Sequence, residues 1–360
     1  MEYGRGSLCD GDSVLIGRKG TLDNPLYLDH PFWPVDTTYF TSNFNGSMRW
    51  FYYLIQTVGL SSLNEATGVP SLSRQTFYNV EVLFPPLEEQ TAIAEVLATV
   101  DRAIEQTEAL IAKQRRIKAG LLHDLLTRGI DEKGNLRDPS THRFKPSPVG
   151  LVPEEWEVGK IANFFSMELG KMLSKASKKN VFPKHYLANK NVQWGQIDIS
   201  DLDTMDFYPH EQFRYRLRTG DILVCEGGEV GRTALWNDEL DECYFQKAIH
   251  RLRPLSHRIT PLYMMYYMQF VVPIGVLLKL TTQTSIAHLT QEQLAVSPIT
   301  FPLVDEMERI ASVLSKQDEM IKTMEIEMNK LHRLKSGLMQ DLLSGRVSVA
   351  GLLRNEELSN

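Results

Sequence analysis

Cys225, Cys243 and His250 are residue types that bind a transition metal, and they fall close together in the chain. Their spacing is loose, however. Cys9, Cys225 and Cys243 are the only cysteines and none forms a Cys-x-x-Cys pair, so neither a zinc site nor a disulfide framework is expected. Free cysteines suit a reducing cytosol, and a cytoplasmic protein is expected. The sequence has no glycine-rich phosphate loop of the Walker or dinucleotide type, no Gly-x-Ser-x-Gly, no His-Glu-x-x-His and no nuclease-like carboxylate cluster. The expectation is a binding protein rather than an enzyme, with no metal and no cofactor. The remaining candidates are basic. Lys171, Lys175, Lys178, Lys179 and Lys184 form one run, and Arg214, Arg216 and Arg218 another. Each run reads equally as a solubilising face or as a strip that meets phosphate.

The net charge is −6, from 39 Lys and Arg against 45 Asp and Glu. A lone non-specific DNA binder is usually basic, because neutralising phosphates supplies much of its affinity. The balance argues against that role, but not against a reader held on DNA by larger partners. A length of 360 residues allows two or more domains. The apolar stretch from Pro261 to Leu280 is interrupted by Gln269, Pro273 and Lys279, and reads as a buried helix rather than a membrane span.

The elements that would position these residues are written twice. Residues 72–127 align without a gap onto 289–344, always 217 positions apart, and nineteen of the fifty-six pairs are identical. That is too many for chance, and it implies two equivalent halves related by a pseudo-twofold. Within the first copy Ile93, Leu97, Val100, Ile104, Thr107, Ile111, Gln114, Lys118, Leu121 and Leu125 recur at alternating steps of three and four. The second copy repeats this with Ile310, Leu314, Gln317, Ile321, Met324, Met328, Leu331, Lys335, Leu338 and Leu342. Such a stripe is the seam of a coiled coil. Each helix is expected to run about 40 residues, or roughly 60 Å. Two like seams on one chain predict antiparallel pairing.

Before each helix lies a segment of short β-like runs and glycine turns. Gly11-Asp12-Ser13-Val14-Leu15-Ile16-Gly17 and Gly220-Asp221-Ile222-Leu223-Val224 both read as a strand. The fold class expected is α+β, with two globular domains each followed by a long helix. The boundaries read as 1–84 and 150–300 for the globular parts, 85–128 and 301–345 for the helices, 129–149 for a polar linker, and 346–360 for a tail. Pro153 and Gly220 lie 67 positions apart, whereas ten residues precede Gly11. The first globular segment is therefore expected to be truncated at its front, as a fragment or as a fold that something else completes.

Several stretches together resemble the specificity (S) subunit of type I restriction–modification systems. They are Gly17-Arg18-Lys19-Gly20-Thr21, Phe32-Trp33-Pro34-Val35-Asp36-Thr37-Thr38-Tyr39, Phe84-Pro85-Pro86-Leu87-Glu88-Glu89-Gln90 and Val152-Pro153-Glu154-Glu155-Trp156-Glu157-Val158. Gly220 to Val224 and the paired Lys118-x-Gly120-Leu121 and Lys335-x-Gly337-Leu338 signatures complete the match, which covers nearly the whole chain. The resemblance implies two target recognition domains, the first truncated, each reading one half of a split sequence on double-stranded DNA. It implies that the antiparallel helices set the half-site spacing and dock two methyltransferase (M) subunits, with restriction (R) subunits as optional further partners and no membrane. Two rival readings are a partial or silent specificity cassette that needs another chain or recombination, and a coiled-coil scaffold without DNA binding.

Base reading uses Arg and Lys for guanine, and Gln and Asn for adenine, with Thr as a small adaptable group. In the first domain the expected DNA-binding residues are Arg18, Lys19 and Thr21. In the second they are Lys171, Lys175, Gln193, Trp194, Arg232, Gln246, Lys247, Gln283 and Thr284.

Overall fold

The computed structural model describes residues 9–277 and 288–349. The chain forms two compact units. Unit 1 joins residues 1–112 to 322–360, and unit 2 holds 113–321. The linear division expected from sequence is thus crossed by both long helices, Leu87–Thr127 and Val304–Leu343. Each helix begins in one unit and ends in the other.

In unit 1 the strand Ser13–Gly17 lies between Leu26–Leu28 and Thr38–Phe40, antiparallel to both. The Ser47 hydroxyl caps the helix Met48–Thr57 by accepting the Trp50 amide. Val14, Ile16, Leu22, Met48, Ile55, Leu60 and Leu72 fill one core. Trp50, Tyr53 and Leu54 join Ile93, Ala94, Leu97, Leu342 and Leu343 in a second. The start of the first long helix therefore packs beside the end of the second.

In unit 2 four antiparallel strands run in the order Thr233–Leu235, Ile222–Cys225, Ile249–Pro254, Phe165–Leu169. A second sheet places Pro183–Leu187 between Asp203–Asp206 and Tyr244–Phe245. Gly220 takes a positive φ of 87° at the turn before the central strand. The buried Asp221 carboxylate that follows receives a two-pronged Arg253 bond at 2.7 Å and the Arg218 amide at 2.8 Å. Thr260 caps, and Pro261 opens, the helix Pro261–Val271, which is buried from Tyr263 onward. No helix among the described residues is long and apolar enough to cross a membrane.

The stretch expected as a polar linker is instead part of the fold. Phe144–Ser147 pairs with Gly150–Pro153 in a hairpin. Arg137 is buried against Glu306, with Nη1–Oε1 at 2.5 Å and Nη2–Oε2 at 2.9 Å. Polarity misled here because the charge is matched rather than solvated.

Every residue of the two seams is buried or half-buried. Between residues 105 and 117, and between 322 and 334, most of the intervening residues face solvent. Lys335 reaches Asp101 at 2.7 Å in unit 1, and Lys118 reaches Asp318 at 2.6 Å in unit 2. The Gln317 amide donates to the Gln114 side-chain oxygen at 2.9 Å. In unit 1 Glu89 meets Ser348 while Asp101 meets Lys335, and in unit 2 Lys118 meets Asp318 while Ile130 meets Glu306, so the chain directions are antiparallel within each unit.

Candidate nucleic-acid interface

In unit 1, Arg18, Lys19 and Thr21 are exposed in the loop that leaves the strand Ser13–Gly17. The backbone holds this loop: the Arg18 amide donates to the Thr37 carbonyl at 2.8 Å, and the Leu72 amide to the Arg18 carbonyl at 3.0 Å. The Arg18 guanidinium lies 6.0 Å from the Tyr39 ring centre. Its Nη1 also donates to the Asp36 carbonyl at 3.5 Å, so a fixed backbone carries exposed cationic side chains, an arrangement suited to meeting a nucleic-acid surface.

In unit 2 the structure sorts the expected residues into two groups. Lys171, Gln246 and Lys247 meet where Gly170 crosses so close to the Gln246 carbonyl that a Cβ would clash. The Lys247 amide donates to the Lys171 carbonyl at 2.8 Å, and its side chain is exposed, as is that of Lys175 nearby in sequence. Lys171 itself departs from the expectation. Its ammonium turns inward, donating to the Asp206 carbonyl at 2.8 Å and to the Glu211 carboxylate at 2.5 Å, beside the Phe207 and Tyr208 rings. Burial alone would raise the Glu211 pKa. The Lys171 contact, with the Tyr208 amide, carries it below the ordinary carboxylate range. Lys171 is a structural cation here.

The second group surrounds the glycine turn 226–232. Arg232 is also turned to structural use, donating to the Asn189 carbonyl at 2.6 Å and lying 3.5 Å from Glu229. The Trp194 indole donates to Glu229 at 2.5 Å. Gln193 is exposed at the end of the strand Val192–Gln193, its amide on the Lys190 carbonyl at 2.7 Å. Gln283 and Thr284 lie outside the described residues. The Arg214–Arg218 run is likewise divided: Arg214 pairs with Glu168 at 2.5 Å, while Arg218 lies 4.9 Å from the ring centre of the exposed Phe213.

Cys225, Cys243 and His250 do not assemble. Burial pushes the Cys243 thiol up to about 12, raises Cys225, and lowers His250, which contacts the Leu289 carbonyl at 2.8 Å. No cluster of His, Cys, Asp or Glu among the described residues is arranged to hold a metal ion.

A pair of side-chain sets was not anticipated. In unit 1 the Tyr53 hydroxyl donates to Asp101 at 2.7 Å, and Lys335 lies 5.6 Å from the Tyr53 ring centre while bonding the same carboxylate. In unit 2 Tyr266 donates to Asp318 at 2.9 Å, with Lys118 at 5.7 Å from that ring. Burial, followed by the neighbouring aspartate, raises both tyrosines well above their ordinary range. Each set takes its aspartate from one copy of the repeat and its lysine from the other, with the tyrosine from the segment preceding the aspartate's copy. The recurrence of the aspartate and the lysine follows from the 217-position alignment, but the crossing required the antiparallel pairing.

The chain is 25% identical over 359 residues to the MjaVIII specificity subunit of Methanocaldococcus jannaschii, covering 96% of this chain and 79% of that protein. It is 20% identical to the EcoBI specificity subunit of Escherichia coli, covering 86% and 68%. Among solved structures, the type I S subunit from M. genitalium superposes with a TM-score of 0.57 at 14% identity, over 95% of this chain and 84% of that one. A chain from a structural study of complex assembly and conformational transition in the type I system gives 0.60 at 16% identity, over 94% and 83%. Residues 1–113 and 153–334 match the type I restriction modification DNA specificity domain, and the chain belongs to that family.

Proposed function

We propose that this chain is the sequence-recognition subunit of a type I restriction–modification complex in the cytosol, and that it performs no chemistry itself. Each unit reads one half of a bipartite DNA target. The long helices set the half-site separation and dock two methyltransferase subunits, with restriction subunits joining for cleavage. The observation that carries this reading is the doubled plan. Each globular part feeds a long helix, and the two helices exchange lysine–aspartate pairs across the repeat. A reader of two separated half-sites needs such a fixed spacer.

Arg18, Lys19 and Thr21 in unit 1, with Lys175, Gln193, Gln246 and Lys247 in unit 2, are the side chains proposed to meet DNA. Lys171 and Arg232 position the loops around them. Co-expression with the cognate methyltransferase subunit, followed by long-read mapping of methylated adenines, tests the reading. A split motif with two different halves is expected. An assembled complex that methylates nothing would overturn it.

A further inference from the structure

The two helix seams are alike but not the same. Six of their ten positions carry the same residue in both copies. Thr107 and Ile111 give way to Met324 and Met328. The last two positions exchange an amide for an aliphatic side chain: Val100 gives way to Gln317, and Gln114 to Leu331. Antiparallel pairing brings these exceptions together. In unit 2 the Gln317 side chain, in a residue only 8% exposed, donates to the Gln114 side-chain oxygen at 2.9 Å and to the Gln114 main-chain carbonyl at 3.1 Å. The equivalent positions in unit 1 are Val100 and Leu331, buried and half-buried. One seam thus sets amide against amide where the other has hydrocarbon on both sides.

The difference matters when each helix is set against its own kind. Because the seam repeats every 217 positions, a first helix paired with the first helix of another copy would keep its ion pair, Lys118 against Asp101. It would, however, set Gln114 against Val100. A second helix paired with its like would keep Lys335 against Asp318, and would set Gln317 against Leu331. Each like-with-like pair is symmetric and carries its mismatch twice. The lysine–aspartate pairs therefore do not discriminate between the two arrangements, and the glutamines do.

We infer that the Gln114–Gln317 bond is the positioning contact that selects crosswise pairing, first helix with second, and excludes pairing of either long helix with its like in another copy of this chain. An amide buried against hydrocarbon goes without its partner, and that costs more than the bond itself contributes. A single polar pair in an apolar seam sets partner and register in this way, at some cost in stability. The inference rests on the proposed function for its meaning: crosswise pairing joins two unlike readers in one subunit and so gives a target with two different halves. Its tests read pairing alone, so it stands or falls apart from DNA recognition.

The full chain serves as the test, because each single substitution builds within one molecule the contact that like-with-like pairing would make. Gln317→Val sets Gln114 against valine, as the first helix paired with its like would. Gln114→Leu sets Gln317 against leucine, as the second helix would. Hydrogen exchange at 113–121 and 310–321, both in unit 2, should quicken about threefold or more in each variant. The double variant rebuilds the aliphatic contact of unit 1 and should return to the wild-type rate or below it, a coupling that a double-mutant cycle reads directly. Single variants that exchange like the wild type would overturn the inference, as would a double variant that exchanges as fast as the faster single. Selection is read by refolding isotope-labelled and unlabelled chains together and cross-linking their lysines. Lys322 and Lys330 are exposed on the second helix and would come together across a like-with-like pair. Links from Lys322 of a labelled chain to Lys330 of an unlabelled one should be about tenfold more frequent in the double variant than in the wild type, once the mismatches are gone. Equal yields from the two would show that the glutamines select nothing.

Discussion

Lys171 and Lys247 are both lysines in the same part of unit 2, yet the fold gives them opposite work. Lys171 is paired inward with Glu211 and exposes little of its side chain, so Lys171→Met should cost about 2 kcal/mol of stability by leaving the carboxylate half-buried and unpaired. The pair also sets a pH dependence. The Glu211 pKa is depressed in the folded state, so its contribution is present above the ordinary carboxylate range, near pH 4.3, and is lost as pH falls through the depressed value. Thermal melts of the wild type should show this loss on acidification, and Lys171→Met should flatten that part of the curve. Lys247 is free, and Lys247→Ala should leave the melt unchanged. It should cost about 1–3 kcal/mol of discrimination if Lys247 reads a base, visible as relaxed methylation of the second half-site. The sequence shows two lysines beside glycines. It does not show that Phe207, Tyr208 and Glu211 close over one of them, because that cage comes from a segment some forty positions away.

At the scale of elements, much was legible. The heptad steps and the absence of proline foretold two helices near 40 residues, and they span Leu87–Thr127 and Val304–Leu343. The strands at Ser13–Gly17 and Ile222–Cys225 follow from the Gly-Asp turns that precede them. The linker was misjudged because prolines and charges there serve a hairpin and a buried ion pair. The crossed lysine–aspartate pairs could not be seen, since a repeat shows like positions and says nothing of which unlike positions meet. Leu97 and Leu314 are fully buried in units 1 and 2 respectively. Leu97→Asp and Leu314→Asp should each cost about 3–5 kcal/mol by burying an unpaired carboxylate, each loosening its own unit first. Hydrogen exchange would resolve the two, and loss of methyltransferase assembly is the expected functional result. At the crossed pair, Lys118→Asp should destabilise, and Lys118→Asp with Asp318→Lys should recover part of the loss in a double-mutant cycle.

For the whole molecule, a net charge of −6 predicts that its hold on DNA draws on its partners. The isolated chain should bind duplex weakly. The complex with methyltransferase subunits should bind tightly, with an affinity that falls steeply as salt rises. Equal affinity of the chain alone and of the complex, measured by fluorescence anisotropy across a salt series, would contradict this division of labour. Family and architecture could be read at this scale because the duplication runs through most of the chain. The bases contacted could not, because they depend on loop ends whose side chains take their aim from distant segments.

Unit 1 is assembled from residues 1–112 and from 322 onward, with unit 2 made in between. During synthesis the front of unit 1 leaves the ribosome first and yet cannot close its core, since Leu342 and Leu343 supply part of it. Unit 2 is contiguous and has all its residues more than twenty positions before Leu342 appears. Vectorial synthesis therefore completes the second unit before the first, and leaves Trp50, Leu54 and Leu97 waiting in the meantime as a nascent surface that chaperones would be drawn to.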